Sequence, residues 1–545
     1  MSKIKKWIFG VFVAVSIALS AAFQSDFFEI AKQIDIYTTL FKKLNMYYID
    51  EVNPAKLTNK AVNHMLSNLD PYTRYYNEQG VEDARIRSTG DYGGIGAISK
   101  FKNNKLTIRE ILKNSPAEKA GIKPGDKILK VDDVLAKDFD EEGISTLLNG
   151  LPNTSVNLQI ERQNKILNIK VTRKKIEINP VPFYTMIDTN VGYISFTTFN
   201  EKASSQVKEA FLELEEDGMK KLIIDVRSNP GGLLNEAVQI ANFFIPKDKV
   251  IVTTKAKIDK WSDTFKTKGA PLDLEIPIII LINSRSASAS EILAGSLQDY
   301  DRAVIMGERS FGKGLVQRYL PLSYGTQMKI TISKYYTPSG RCIQELDYTN
   351  RDDEGNIPTF SDHGRTTYKT QKGRTVYGGG GILPDIEIEK PATTESTKTL
   401  LKSDAFFNYV TSYYYNNETI AAPSKFNLNN TDYNNLRAYL SEHQSDFETN
   451  TETAFNTANE KATEDNLSSN LAKDYERLLS TIHSEKLKEL DQNKVEILNK
   501  LTEEIVKRYN YEEGVYQQKT IFDTTILKAV SILNNSKDYD KLLNN

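Results

Sequence analysis

The chain of 545 residues holds one cysteine and four histidines. With Cys342 alone there is no internal disulfide, and no cysteine near the N-terminus to carry a lipid. His64, His363, His443 and His483 lack the spacing of a metal site. None of them falls in a segment that reads as buried sheet, so any hydrolytic chemistry here calls for lysine rather than histidine as the base. Net charge is also missing: 70 Lys and Arg against 72 Asp and Glu leave -2, which excludes an electrostatic footprint for nucleic acid. The apolar run Trp7 to Phe23 falls short of the ~20 residues that usually span a bilayer. Lys3, Lys5 and Lys6 precede an apolar stretch from Ile8 to Leu19, and Ser20-Ala21-Ala22 supplies small residues for cleavage. Residues 1–22 are therefore expected to be a signal peptide. Export to a periplasm or cell envelope follows, with membrane attachment if the segment stays uncleaved.

At this length one core is not enough, and four further regions are expected. Residues 23–87 read as an N-terminal helical arm, with Ile30, Ile34, Tyr37, Leu40, Phe41 and Leu44 at helical spacing. Residues 88–175 read as a β-rich module of short strands and glycine turns that includes Gly93-Gly94-Ile95-Gly96-Ala97-Ile98. Over 176–392 strands and helices alternate, and the runs Leu222 to Val226 and Ile276 to Ile282 suit a sheet covered on both faces. Residues 393–545 hold one proline, Pro423, and one glycine, Gly514. There Leu498, Leu501 and Ile505 mark a charged helical domain. The expected fold class is multidomain α/β: an α/β core with an inserted β-domain, an N-terminal helical arm and a C-terminal helical domain.

The chemistry gathers between Arg227 and Gln317. A strand at Ile278 to Ile282, a helix at Ala287 to Gln298 and a strand at Ala303 to Met306 make a right-handed βαβ unit. Ser286, Ser288 and Ser290 then leave the carboxyl end of one strand and Lys313 that of the next, the edge where open α/β sheets bind ligands. Arg227-Ser-Asn-Pro-Gly231-Gly232 follows the strand Leu222 to Val226 at the same edge, where glycine amides can meet a developing oxyanion. The amide after the nucleophile would be the second donor. A lysine is a base only when neutral, and burial depresses its ordinary pKa of about 10.4. Gly312 and Gly314 let Lys313 turn inward, and Gln317 can hold its amine.

Plainer explanations compete. Alternating Ser and Ala at a helix start often means only a cap and small packing residues. Gly307 to Lys313 also matches the first seven positions of a phosphate-binding loop, but Gly314 stands where Ser or Thr must hold magnesium, and Leu315 to Leu320 reads as strand, so nucleotide binding is rejected. Cys342 is an incidental thiol, and His443 and His483 belong to a solvated surface. Asp225 and Asp299 each need a partner if buried.

Together these residues resemble the C-terminal processing peptidases, or tail-specific proteases, secreted serine endopeptidases with a Ser/Lys dyad. Ser286-Ala-Ser288-Ala-Ser290-Glu291-Ile292 with Ala294-Gly295 is similar to the family's nucleophile motif, Gly312-Lys313-Gly314 with Gln317 to its base motif, and Asp225 to Gly232 to its oxyanion loop. Tyr336-Thr-Pro338-Ser-Gly340 and Gly381-Ile-Leu-Pro384-Asp385 are further marks. The resemblance implies Ser288 as nucleophile, Lys313 as base and Gln317 as its support, with the amides of Gly231 or Gly232 and of Ala289 as oxyanion donors. It implies neither cofactor nor metal. Ser115 to Ile128 resembles a PDZ domain, with Gly94, Ile95, Gly96 and Ala97 at the loop that captures a terminal carboxylate. The implied partners are proteins or peptides with exposed C-termini, and adaptor docking or homo-oligomerisation would fall to the C-terminal region. The alternatives are a non-catalytic PDZ scaffold on a degenerate core, and a Ser/Lys amidase that would leave the peptide-binding module idle.

Overall fold

A computed structural model describes residues 27–102, 105–138, 147–352, 354–360, 365–389 and 392–544. The expected signal peptide and His363 lie outside these residues. The chain forms two compact units, Met1–Tyr75 and Tyr76–Asn545. In the first, a helix over 27–47 precedes the helix Pro54–Ser67. Asn53 caps the second helix, its side chain accepting from Lys56 N at 3.0 Å, and proline at the first turn costs no hydrogen bond there.

The second unit begins with the helix Glu78–Thr89, ended by Gly90 at φ 73°. An antiparallel sheet follows, its strands Ala97–Lys102, Lys105–Ile111, Lys127–Val131, Ser155–Arg162 and Lys165–Thr172 lying side by side in that order. Alternate residues, Leu106, Ile108, Ile128, Val156, Leu158 and Ile160, fill its core. Among the described residues Ala97–Lys102 pairs on one side only and is an open edge. In the loop before it, Gly96 takes φ 74°, and a Cβ there would stand 2.4 Å from Ser115 Cβ. The carbonyls of Ile95 and Gly96 accept from Ala117 N (2.8 Å) and Leu112 N (3.0 Å).

The next sheet has six strands in the order Phe183–Met186, Val191–Ser195, Lys221–Asp225, Ile278–Ile282, Val304–Gly307 and Ile386–Glu387, parallel after the first pair. Parallel neighbours need crossovers, and these are the helices Ala203–Glu216, Leu234–Asn242 and Ala289–Asp299. Leu222, Ile224, Ile278, Ile280 and Ile305 pack against them, while Ile223, Ile279, Leu281, Val304 and Met306 face the other way. That other face is covered by Ile526, Ala529, Leu533 and Tyr539 of the helices Thr524–Asn534 and Ser536–Asn544. Both faces are covered as expected, but the cover comes from the region read as a separate charged domain. The end of the chain belongs to the core of the sheet, because a central parallel strand has no polar face to leave in water.

A second sheet of Val250–Ala256, Asp263–Lys266, Leu315–Pro321 and Gln327–Tyr336 flanks the first. The remaining helices build their own core from Phe406, Leu440, Ile497, Leu501 and Ile505. They also grip the β-rich module: Asp404 takes Lys102 at 2.8 Å and Arg109, Arg508 Nη1 donates to Arg109 O at 3.1 Å, and Arg109 and Arg508 both lie over the Phe407 ring. Neither His443 nor His483 is simply solvated. His483 sits 3.1 Å from the buried Glu452, which also pairs with Lys486, and His443 stacks on Tyr439. Helical spacing sets His443 on Tyr439, and packing of the helices Asn450–Glu464 and Ser468–Gln492 brings His483 to Glu452.

Leu533, 2% exposed, supports the sheet face, whereas Leu527 of the same helix is 44% exposed. Leu533→Ala is expected to lower the stability of the chain by about 2–5 kcal/mol, and Leu527→Ala by about 0.5 kcal/mol or less, in urea unfolding.

Candidate active site

The carboxyl ends of Lys221–Asp225, Ile278–Ile282 and Val304–Gly307 bring three loops together. The loop after Ile278–Ile282 turns sharply into the helix Ala289–Asp299, and Ser288 sits at the turn with φ 56° and ψ -113°. A serine pays for left-handed backbone, and such strain on a strand-to-helix turn is how α/β folds lift a nucleophile above a sheet. The structure separates the three serines. Ser286 Oγ donates to Val226 O at 2.8 Å and Ser290 Oγ to Asn229 O at 2.9 Å, both fully buried. Ser288 is half-buried, at the positive end of an 11-residue helix.

The Arg227–Gly232 loop is stitched to this turn. Ala287 N donates to Asn229 O at 3.1 Å, and Asn283 Oδ1 accepts from Ser228 N at 2.8 Å. Gly231 runs so close that a Cβ would lie 2.6 Å from Ala287 O and 2.8 Å from Ala289 N, with φ at 93°. Only glycine fits. Its amide, however, donates to Asn229 Oδ1 at 2.9 Å. Gly231 N is thus engaged inside its own turn, unlike the open donor expected of it.

The Lys313 loop is held by a residue to which sequence reasoning gave no role. Glu291, 1% exposed, accepts Ser288 N at 2.7 Å and Lys313 N at 3.0 Å on Oε2, and Gly312 N at 2.7 Å and Ser310 Oγ at 2.6 Å on Oε1. The amides of Ser288 and Lys313 share one oxygen, so they lie no farther apart than those two bonds end to end. Burial pushes the Glu291 carboxyl up to about 7, against the pull of its four donors. The signal was present: glutamate three residues into a helix capped by serine is a capping box. What it could not reveal is that the same carboxylate reaches across to the next strand's loop. Gly312 and Gly314 press on the 344–345 segment, where a Cβ would meet Glu345 Cβ at 2.6 Å and Gln344 N at 2.8 Å. Gln317 donates through Nε2 to Thr331 Oγ1 at 3.2 Å, across its hairpin. Tyr335 OH donates to Ser288 O at 3.3 Å.

The two aspartates have the partners their burial requires. Asp225 takes Arg227 at 2.7 Å and Tyr193 OH at 2.9 Å; Asp299 takes Arg341 at 2.8 Å, Thr337 Oγ1 at 2.5 Å and Ser339 N at 2.9 Å. Cys342 is half-buried, and burial raises its thiol, which suits an inert side chain. After Lys313 the chain runs as the strand Leu315–Pro321, not the helix of a phosphate-binding loop.

An α/β core with a glycine-rich edge, an inserted PDZ module and a helical C-terminal domain defines a modular peptidase. Sequence comparison agrees region by region: residues 93–172 match a PDZ domain, 190–350 match Peptidase family S41, and 396–533 match a probable PDZ-protease C-terminal helical domain. A carboxy-terminal-processing protease of Bartonella bacilliformis is 34% identical over 357 residues, 64% of this chain and 82% of that one. A probable CtpA-like serine protease of Staphylococcus aureus is 37% identical over 309 residues, 56% of this chain and 61% of that relative's length. The chain therefore spans about three fifths of the length of that relative. Among solved structures, a photosystem II D1 C-terminal processing protease is 28% identical, with 56% of this chain and 89% of that one covered at a TM-score of 0.34. The chain belongs to the carboxy-terminal-processing proteases of peptidase family S41.

Two oxygens facing four donors cannot be replaced by an amide without setting an NH2 against N–H groups. Glu291→Gln is expected to lower kcat on the order of 10²-fold by displacing the loops, measured against wild-type on one protein substrate. Because the folded carboxyl titrates near 7, above its unfolded value, its favourable contribution to stability is full at acid pH and is lost as pH rises through about 7. The stability gap between wild-type and Glu291→Gln should accordingly narrow, or move in favour of the variant, between pH 5 and pH 8 in urea titrations.

Proposed function

We propose that this chain is an exported serine endopeptidase that recognises protein C-termini through its PDZ domain and cuts with a Ser288/Lys313 dyad. The observation that carries it is the strained Ser288 turn tied, through one buried carboxylate, to the loop of Lys313. Ser288 Oγ adds to the scissile carbonyl carbon and gives its proton to neutral Lys313 Nζ. The carbonyl oxygen becomes an oxyanion facing the amides of Ala289 and Gly232, at the positive end of a helix. When the C–N bond breaks, Lys313 returns the proton to the departing amine; neutral Lys313 then takes a proton from the water that attacks the Ser288 ester and passes it to Ser288 Oγ as the ester C–O bond breaks. Gln317 supports Lys313 from the adjoining strand. Substrate chains add along the open edge Ala97–Lys102, with the terminal carboxylate received by the Gly94–Ala97 loop. The N-terminal residues 1–22 supply the export signal.

Ser288→Ala and Lys313→Ala should each reduce cleavage of β-casein by several orders of magnitude while the melting temperature stays near wild-type. In wild-type, kcat/KM should rise with pH as Lys313 loses its proton. Unimpaired cleavage by Lys313→Ala would remove the dyad; the absence of any Ser288-dependent fragment would favour a peptide-binding scaffold instead.

A further inference from the structure

Arg227 opens the loop that faces Ser288, and its guanidinium is shared between two carboxylates from distant parts of the chain. Nε lies 2.9 and 3.1 Å from the two oxygens of Asp225, and Nη2 lies 2.7 Å from Oδ2, while Nη1 donates to Asp523 Oδ2 at 2.8 Å. The side chains of Arg227 and Asp523 are 15% and 20% exposed. Asp523 is occupied on its other oxygen too: Oδ1 accepts Thr525 N at 2.9 Å and Ile526 N at 3.2 Å, capping the helix Thr524–Asn534. One carboxylate thus joins the helix that covers the far face of the sheet to the first residue of the loop at its edge.

We propose that Asp523 is a positioning residue for the reaction at Ser288, holding Arg227 and through it the Ser228–Gly232 loop in register with the nucleophile turn. The proposal rests on the peptidase reading of Ser288 and Lys313. The loop has little slack to absorb a shift. Ser228 is already at φ 62°, Asn229 O receives both Ala287 N and Ser290 Oγ, and Gly231 stands against Ala289 N with no room for a methyl group. Arg227 N is itself bonded to Asp225 Oδ1 at 3.0 Å, so the main chain follows the guanidinium. Without Asp523 a largely buried Nη1 loses a charge-assisted bond, and the guanidinium is anchored by Asp225 alone. Tyr539 secures the same C-terminal helices to the strand that leads to Ser288, its hydroxyl meeting both N and O of Ile278 at 2.9 and 3.0 Å. The contact at Asp523 is therefore made from a rooted element.

Asparagine caps a helix as well as aspartate does, so Asp523→Asn keeps the helix start and removes only the anion facing Arg227. In the full chain, hydrogen exchange over residues 227–233 is expected to quicken at least about tenfold in this variant, while Ile278–Ile282 keeps its wild-type rate. For β-casein cleavage, kcat per folded site should fall about ten- to a hundredfold with KM within about twofold, and Asp523→Glu should recover part of the loss. A peptide aldehyde, which adds to Ser288 as a hemiacetal, should lose affinity in step with kcat, as a displaced oxyanion site requires and a partly unfolded population does not. Wild-type exchange across 227–233 in both Asp523→Asn and Asp523→Ala would overturn the proposal, as would a kcat loss that vanishes once rates are divided by folded sites. Failure of wild-type to make Ser288-dependent fragments would defeat the peptidase reading and the catalytic role of Asp523 with it. Unchanged exchange beside intact cleavage would defeat the Asp523 proposal alone.

Discussion

The geometry of the site depends on one buried carboxylate. Glu291 offers two oxygens to four donors, and those donors belong to the turn of Ser288 and the loop of Lys313. Each loop alone is a short irregular segment with backbone groups to satisfy, and the two also meet directly where Phe311 N donates to Ser286 O at 3.0 Å. Burial makes the ionised carboxyl expensive, and the four hydrogen bonds offset that cost; hence its titration near 7 rather than far above or below it. A group so balanced serves well as a clamp, because at 1% exposure both its oxygens are occupied by the two loops.

A similar logic governs other buried charges around the sheet. Asp225 meets Arg227 and Arg227 meets Asp523 at the carboxyl edge, and past the far end of the helix Ala289–Asp299, Asp299 meets Arg341 and Arg374 spans Asp301 and Asp385 at 2.6 Å each. The Arg227–Asp523 pair links residues 296 positions apart, and the others join residues 2 to 73 positions apart. They rivet loops whose apolar content is too small to pack them, while the strands beneath are held by alternating isoleucine and leucine. The segment Lys494–Phe522, two helices broken at Tyr511 (φ 57°, ψ -167°), takes part on either side of the break. Arg508 touches the main chain of Arg109 in the PDZ module, and the helix stops one residue before Asp523. The PDZ module and the loop of Arg227 are thus braced from successive helices of one segment.

Much of this was legible beforehand. The run Ile278 to Ile282 is the observed strand, and Leu315–Pro321 is a strand as its composition suggested. The parallel unit brings the serine and lysine loops to one edge, since strand order and handedness leave little choice once a βαβ pattern is recognised. Less legible were contacts made by side chains reaching across loops. Glu291 belongs to a helix cap, but its second set of donors lies some twenty residues on. Gly231 read as an open amide, yet Asn229 two residues before folds back onto it. The helices after Thr524 carried an apolar stripe at Ile526, Ala529 and Leu533 whose destination no local pattern could name.

By itself the sequence determined the elements, their order and the residue types gathered at the sheet edge, because periodicity and turn chemistry act over a few residues. It also put Lys313, rather than a histidine or cysteine, in a loop expected at the same sheet edge as the serines. Tertiary structure alone decided that Ser288 rather than Ser286 or Ser290 has the strained, half-exposed turn, since the flanking hydroxyls are consumed by carbonyls sixty residues away in the chain. It alone decided that the last helices complete the core. The physical reason is the same in both cases: hydrogen bonds and burial are satisfied in space, and a partner distant in sequence leaves no periodic trace of where it will be.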